Sequence, residues 1–98
     1  MAMIRNPHPG IILKEEFMDD LKLTQSSLAK AIQVPQNRIS EIVRGVRGIT
    51  APTDLRLCRY FGLSEGFWLR LQNSYDLMEA HRKLDKEIQE IVPLRLTA

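Results

Sequence analysis

Several features are scarce in this chain of 98 residues, and each scarcity excludes a class of protein. The only cysteine, Cys58, cannot form an internal disulfide, and its place on the apolar side of a helical segment predicts a buried thiol in a reducing cytoplasm. No apolar run approaches the roughly 18 residues of a membrane span, and no signal-peptide pattern is present. The two histidines, His8 and His81, lie far apart, and no Cys/His set has metal-ligand spacing. We therefore expect a cytoplasmic protein that is not an enzyme and needs no metal or cofactor.

The net charge is only +2, but it is unevenly distributed along the chain. Residues 1–21 hold two basic and four acidic groups, and residues 48–98 hold seven of each. Residues 22–47 hold five basic groups against one acidic group, which is a local charge of +4. This positive excess indicates a segment that contacts a polyanion.

Apolar residues recur at helical spacing in five segments, which predicts an all-α fold. The predicted helices cover residues 9–20, 25–32, 36–43, 51–60 and 65–92. Thr24, Thr50 and Ser64 are the predicted N-caps, and Gly45 and Gly62 are predicted to end helices. The predicted buried faces include Ile12, Leu13, Phe17 and Leu21 in the first helix, Leu55, Leu57, Cys58 and Phe61 in the fourth, and Trp68, Leu71, Tyr75 and Met78 in the fifth.

Residues 24–45 have the layout of a helix-turn-helix, because two short helical patterns face each other across a turn of about three to four residues. Leu28, Ala29 and Ile32 share one face of the first pattern, and Ile39, Ile42 and Val43 share one face of the second. Ala29 falls where the two helices would cross, so its small side chain allows the backbones to approach. The outward side of the second pattern is polar, which predicts a DNA-binding protein.

The second helix of such a motif lies in the major groove and presents its first residues to base edges. The candidate base-reading residues are Gln36, Asn37, Arg38, Ser40 and Glu41. Asn37 and Ser40 could instead be solvated surface residues, and Arg38 could pair with guanine or with a phosphate. The candidate phosphate contacts are Thr24, Gln25, Lys30, Arg44 and Arg47. Thr24 and Gln25 lie where a helix N-terminus favours an anion, and Lys30 could instead be a plain surface charge.

The last helix carries a second apolar stripe beyond the residues that would close the domain core. Leu77, His81, Leu84, Ile88 and Ile91 form this stripe, and Leu94 and Leu96 follow in a segment that alternates as a short strand would. An exposed apolar stripe needs a partner. We expect residues 1–79 to form the DNA-binding domain and residues 80–98 a dimerisation or partner-binding extension, although a tail folded back on its own core is the alternative. Dimer or partner contacts are expected from Leu77, Leu84, Ile88, Ile91, Leu94 and Leu96.

The chain resembles the lambda-repressor-like (Cro, XRE-type) helix-turn-helix proteins and, more narrowly, the HigA/VapI group of antitoxins. The resemblance covers roughly residues 7 to 79. The residues that carry it include H-P-G at His8 to Gly10, L-A-K-A-I at Leu28 to Ile32, R-I-S-E-I-V-R-G at Arg38 to Gly45 and F-W-L-R-L-Q at Phe67 to Gln72. The family often has Gly in the turn where this chain has Gln33, and a left-handed residue other than Gly costs about 1 kcal/mol.

This resemblance implies a five-helix lambda-repressor-like domain and a homodimer that binds a palindromic operator in double-stranded DNA and represses its own operon. It also implies a cognate toxin, typically a small HigB-like endoribonuclease that cleaves mRNA, which the antitoxin neutralises. Two other functions remain open at this point. One is a stand-alone XRE-type repressor without a toxin, and the other is a helical protein-binding module that does not contact DNA.

Overall fold

The computed structural model describes residues 5–95, and within that range the chain forms five α-helices and no strand. α1 is Pro9–Ile12 and continues as a π-helical segment, Leu13–Met18. α2 is Gln25–Ile32, α3 is Gln36–Val43, α4 is Ala51–Phe61 and α5 is Phe67–Gln89. The all-α prediction is confirmed, and α2 and α3 have the predicted bounds.

The first helix departs from the predicted pattern because its second half is a π-helix. The N–H of Asp19 donates to the carbonyl of Lys14, five residues earlier, at 2.8 Å. The wider turn brings residues five apart onto the same side, and the fully covered pair is accordingly Leu13 and Met18, 0% and 4% exposed. The prediction that Leu21 is buried was wrong. The π-helical segment rotates the residues that follow it relative to the core, and Leu21 is 58% exposed.

Four helical segments end in the same backbone motif, which lets the chain reverse direction within a few residues. In each, a residue of positive φ is followed by one whose N–H donates to the carbonyl five residues earlier, as in the Schellman motif. The positive-φ residues are Lys22, Gln33, Gly45 and Gly62, and the bonds run from Leu23 to Met18, Val34 to Ala29, Val46 to Glu41 and Leu63 to Cys58, at 2.8–3.0 Å. The predicted helix ends at Gly45 and Gly62 are therefore confirmed.

α5 begins two residues later than predicted because a side chain from α4 caps it. The buried carboxylate of Asp54 accepts the backbone N–H groups of Gly66 and Trp68, both at 2.8 Å, and of Leu69 at 3.2 Å. It thus satisfies the free donors at the positive end of the helix dipole. Ser64, the predicted cap, does not cap α5.

The core is built around Trp68, which is fully buried together with Leu13, Leu28, Ile39, Ile42 and Leu57. The rings of Phe17 and Phe67 lie 5.0 and 5.1 Å from the Trp68 ring, centroid to centroid. Cys58 is buried as predicted, and its burial, with the adjacent Asp54 carboxylate, raises the pKa of its thiol. The prediction for Leu55 was wrong: α4 turns Thr53, Asp54, Leu57 and Cys58 inward, and Leu55 is 48% exposed.

The C-terminal part of α5 extends beyond the core. Every described residue from 80 to 95 is exposed. The helix ends at Gln89, three residues before the predicted Val92. Leu94 lies in an irregular segment, and Leu96, with the rest of the predicted short strand, lies outside the described residues. Within the described residues no helix is long and apolar enough to cross a membrane.

Candidate nucleic-acid interface

α2 and α3 form the predicted helix-turn-helix. The turn between them is made by Gln33, Val34 and Pro35. Gln33 takes the left-handed conformation at φ 63°, as the sequence predicted for a position where the family often has Gly. Arg56 of α4 supports this turn, since its guanidinium donates to the carbonyl of Ile32 at 2.8 Å. Ala29, which the sequence predicted to lie at the crossing of the two helices, is buried.

α3 buries its apolar side and presents a polar one. Ile39 and Ile42 are fully buried, which fixes the rotation of the helix about its axis. Of the five candidate base-reading residues, Gln36 and Asn37 are exposed, whereas Arg38, Ser40 and Glu41 are half-exposed. All five therefore lie in the first half and middle of α3 and are at least partly accessible, with the most exposed two at the start of the helix.

The N-terminus of α2 is closed by a capping box. The Thr24 hydroxyl accepts the N–H of Ser27 at 3.0 Å, and the Ser27 hydroxyl accepts the N–H of Thr24 at 3.0 Å. The Thr24 cap is confirmed, but its hydroxyl is already engaged, which leaves the backbone N–H groups of the first turn as the anion-binding feature. Sequence reasoning missed Ser27, because a capping box usually has Glu or Gln at that position.

Each helix of the helix-turn-helix has an exposed basic side chain in or just after its last turn. Lys30 of α2 and Arg44 at the C-terminal end of α3 are exposed, and neither forms an ion pair within residues 5–95. Arg47 differs, because its Nε donates to the Glu41 carboxylate at 2.7 Å. Sequence reasoning placed Glu41 among the base-reading candidates and Arg47 among the phosphate contacts, and it missed that the two pair with each other.

His8, the N-cap of α1, and Gly10, in its first turn, pack against the α3 region, and sequence reasoning gave them no such role. A Cβ on Gly10 would lie 1.8 Å from the backbone oxygen of Ile42, so only glycine allows this approach. The His8 ring packs edge-on against Tyr75 of α5, with centroids 4.9 Å apart, and also faces Gly45 at the end of α3. The signal in the sequence was the H-P-G motif itself.

His8 also caps α1 in a way that requires a neutral ring. Its Nδ1 accepts the N–H of Gly10 at 2.9 Å, and a protonated ring has no acceptor nitrogen. Burial lowers the pKa of His8, and the charge of Asp76 partly opposes this effect. The neutral form is therefore the one that the fold selects at pH 7.

The candidate dimer or partner residues do not belong to this interface but lie along the projecting half of α5 and just after it. The exposed fractions are 58% for Leu77, 42% for Leu84, 48% for Ile88, 64% for Ile91 and 84% for Leu94. No group of three or more His, Cys, Asp or Glu side chains in the described part of the chain is arranged to hold a metal ion.

Comparison with known proteins agrees with this geometry. The family model for helix-turn-helix proteins matches residues 13–68. Virulence-associated protein I of Dichelobacter nodosus is 50% identical over 92 residues, which cover 93% of this chain and 83% of that protein. Antitoxin HigA-1 of Vibrio cholerae is 32% identical over 85 residues, which cover 87% of this chain and 80% of that protein.

A solved structure extends the similarity to the whole fold. The antitoxin HigA of Pseudomonas aeruginosa, solved with the higBA promoter, superposes with a TM-score of 0.88 at 41% identity, covering 93% of this chain and 100% of that one. These matches are to DNA-binding regulators and antitoxins and not to an enzyme family. The chain therefore belongs to the helix-turn-helix DNA-binding proteins and, within them, to the family of HigA antitoxins.

Proposed function

We propose that this protein is an operator-binding antitoxin that represses its own operon as a homodimer and neutralises a cognate toxin. The observation that carries the proposal is α3, whose apolar side is buried in the core and whose opposite side is polar. The chain also superposes on an antitoxin solved with promoter DNA. Because the operator is intracellular DNA, the expected site of action is the cytoplasm. No catalytic activity is expected of the chain itself.

In the proposed complex α3 enters the major groove. Gln36 and Asn37, the most exposed of the five candidates, can each form a bidentate pair with adenine. Ser40 follows one turn later and reaches the same groove wall. The N-terminus of α2, with Thr24 and Gln25, Lys30 in the last turn of α2, and Arg44 are the proposed contacts to the phosphates beside the groove.

The proposed dimer forms through the exposed stripe on α5. On α5, residues 77, 81, 84 and 88 are spaced by four, three and four positions, which is the period of a coiled-coil seam, and Ile91 lies just beyond the end of the helix. A two-fold dimer uses the same surface on both subunits, so one continuous stripe is sufficient. Residues 80–98 would then be the dimerisation extension of a DNA-binding domain formed by residues 1–79.

The test of operator binding uses fluorescence anisotropy with duplex DNA from upstream of the protein's own gene and a scrambled duplex of equal length. We expect tighter binding to the native duplex by about 10³-fold or more, with log K falling steeply as log[salt] rises. Equal affinity for both duplexes would reject sequence-specific recognition. No binding at low ionic strength would leave a helical protein-binding module as the function.

The dimer is tested by sedimentation of a Leu84→Glu variant, which places a charge in the centre of the stripe. We expect this variant to be monomeric and to lose operator affinity, whereas Lys83→Glu, which changes the adjacent exposed residue outside the stripe, remains dimeric. A dimeric Leu84→Glu variant would exclude this interface.

The toxin is tested through the gene next to the antitoxin gene. We expect a small, strongly basic protein whose expression stops growth, and we expect co-expression of the antitoxin to restore growth. Operator binding without such a partner would make the protein a stand-alone repressor.

A further inference from the structure

The ion pair between Glu41 and Arg47 joins the middle of α3 to the loop that follows it. The Arg47 Nε donates to Glu41 Oε1 at 2.7 Å, with 30% of the Glu41 side chain and 46% of the Arg47 side chain exposed. The ion pairs Lys14–Asp19 and Glu79–Arg82 lie elsewhere, whereas the Glu41–Arg47 pair involves α3. It therefore lies on the surface that would meet DNA.

The loop that carries Arg47 is held at both ends. At its start, Gly45 takes φ 77°, and the N–H groups of Gly45 and Val46 donate to the carbonyls of Ile42 and Glu41, both at 3.0 Å. This closes a Schellman motif in which the backbone of Glu41 is itself an acceptor.

At the end of the loop, Gln72 of α5 accepts the N–H of Ile49 at 2.8 Å. The same Gln72 amide leaves little space beside Gly48, where an added Cβ would lie 3.2 Å from it. The Arg47 backbone is thus fixed relative to α3, and the ion pair fixes its side chain as well.

The chemistry of this pair favours positioning over base reading. An arginine has five N–H donors, and the contact with Glu41 uses the Nε donor, which leaves the terminal amino groups of Arg47 available. A phosphate is the group that such a planar donor pair matches. The same contact engages Oε1 of Glu41 and holds the carboxylate toward the loop that carries Arg47, while Oε2 keeps its acceptor capacity.

We propose that Glu41 is a positioning residue that orients Arg47 toward one backbone phosphate beside the recognition helix, and that Glu41 does not read a base. This inference rests on the proposed operator binding. The Arg47 side chain is held in its binding geometry before DNA arrives, so less conformational freedom is lost on association.

The test is a double-mutant cycle on the native operator duplex with Glu41→Ala, Arg47→Ala and the double variant. We expect Glu41→Ala to weaken binding by about two- to tenfold, the range for one side chain that is no longer held in place. Arg47→Ala should reduce the slope of log K against log[salt] by about one. Adding Glu41→Ala to Arg47→Ala should change nothing further.

Two further readouts separate positioning from other roles. Glu41→Gln keeps an oxygen that can accept from Arg47 Nε, so it should retain part of the lost affinity. The base preference at every operator position should be the same in Glu41→Ala as in the unchanged protein. As a matched control, Asp19→Asn removes another exposed ion pair, with Lys14 at 3.1 Å, and should leave the affinity and the salt slope unchanged.

Three outcomes would overturn the inference. They are an equal effect of Glu41→Ala with and without Arg47, a relaxed base preference at one position, and tighter binding of Glu41→Ala to any duplex. Each of these requires a protein that binds its operator. Failure of the unchanged protein to bind is therefore a separate result, which rejects the proposed function instead.

Discussion

Replacing Gly10 with alanine should destabilise the fold, because Gly10 packs directly against the backbone of α3. In Gly10→Ala, the new Cβ would lie 1.8 Å from the Ile42 carbonyl oxygen, 2.6 Å from its carbon and 3.1 Å from Val43 Cα. All three are backbone atoms, so no side chain can rotate away. α1 must move from α3 by more than 1 Å, because real Cβ contacts lie beyond 3.0 Å.

The energetic cost follows from overpacking against a rigid neighbour. Inserting a methyl group into a filled space costs about 1–3 kcal/mol and occasionally more, and a backbone clash belongs at the upper end. The better helix propensity of Ala offsets up to about 1 kcal/mol of this loss in stability. We therefore expect a net loss of at least about 2 kcal/mol, which lowers Tm by roughly 8–16 °C in a domain of this size.

The assay is thermal and urea denaturation followed by circular dichroism, with Gly62→Ala as the control. Gly62 has a positive φ, 71°, and no atom lies within 4 Å of its added Cβ. This control should lose only the cost of a left-handed Ala, about 1 kcal/mol, and should keep its operator affinity. A Gly10→Ala protein as stable as Gly62→Ala, with unchanged operator binding, would refute the argument.

Four further predictions follow from individual residues. Gln33→Gly should raise the free energy of unfolding by about 1 kcal/mol in urea titrations, because Gly adopts the left-handed turn without strain; a loss of stability would show that the Gln33 side chain contributes a contact. Asp54→Ala should lower the free energy of unfolding by at least about 3 kcal/mol, since three N–H groups at the start of α5 lose their acceptor. Asp54→Asn keeps an acceptor oxygen and should lower it by about half as much. Equal losses in the two variants would contradict the capping role. Because the folded-state pKa of His8 is lowered below its ordinary 6.5, the unfolded chain takes up the proton first, and the stability present above pH 6.5 should fall as the pH drops through the folded-state pKa. His8→Asn, which can still accept the capping bond, should remove this part of the pH dependence in urea titrations between pH 7.5 and 5. Arg38→Ala should weaken operator binding by about 1–3 kcal/mol, and an equal loss on random DNA would assign Arg38 to a phosphate.

The helix-turn-helix could be predicted from the sequence because its determinants are local. The apolar spacing in α2 and α3, the Thr24 cap and the Gly45 terminator act within a few residues, and all of them appear in the structure. The same local signals predicted the candidate DNA contacts, and the assignment of these residues to bases or phosphates stays a prediction.

The errors arose where distant residues or an unusual backbone decide the structure. The start of α5 depends on Asp54, which lies 12 residues or more before the groups that it caps, so the local signal of Ser64 was misleading. The burial of Leu21 was predicted at the α-helical period, but a π segment intervenes. The roles of Gly10 and of the Glu41–Arg47 pair depend on which surfaces meet in three dimensions, which periodicity cannot show.

Placement of α3 in the major groove can be tested most directly with operator duplexes in which single adenines are replaced by 7-deazaadenine. This base lacks the N7 acceptor that Gln and Asn side chains bind in the major groove. We expect binding to weaken about tenfold or more at one or two positions in each half-site, with half-sites about 34 Å apart. If every 7-deaza duplex bound as tightly as the native operator, adenine would not be read by Gln36 or Asn37, and the assignment of α3 to base recognition would be wrong.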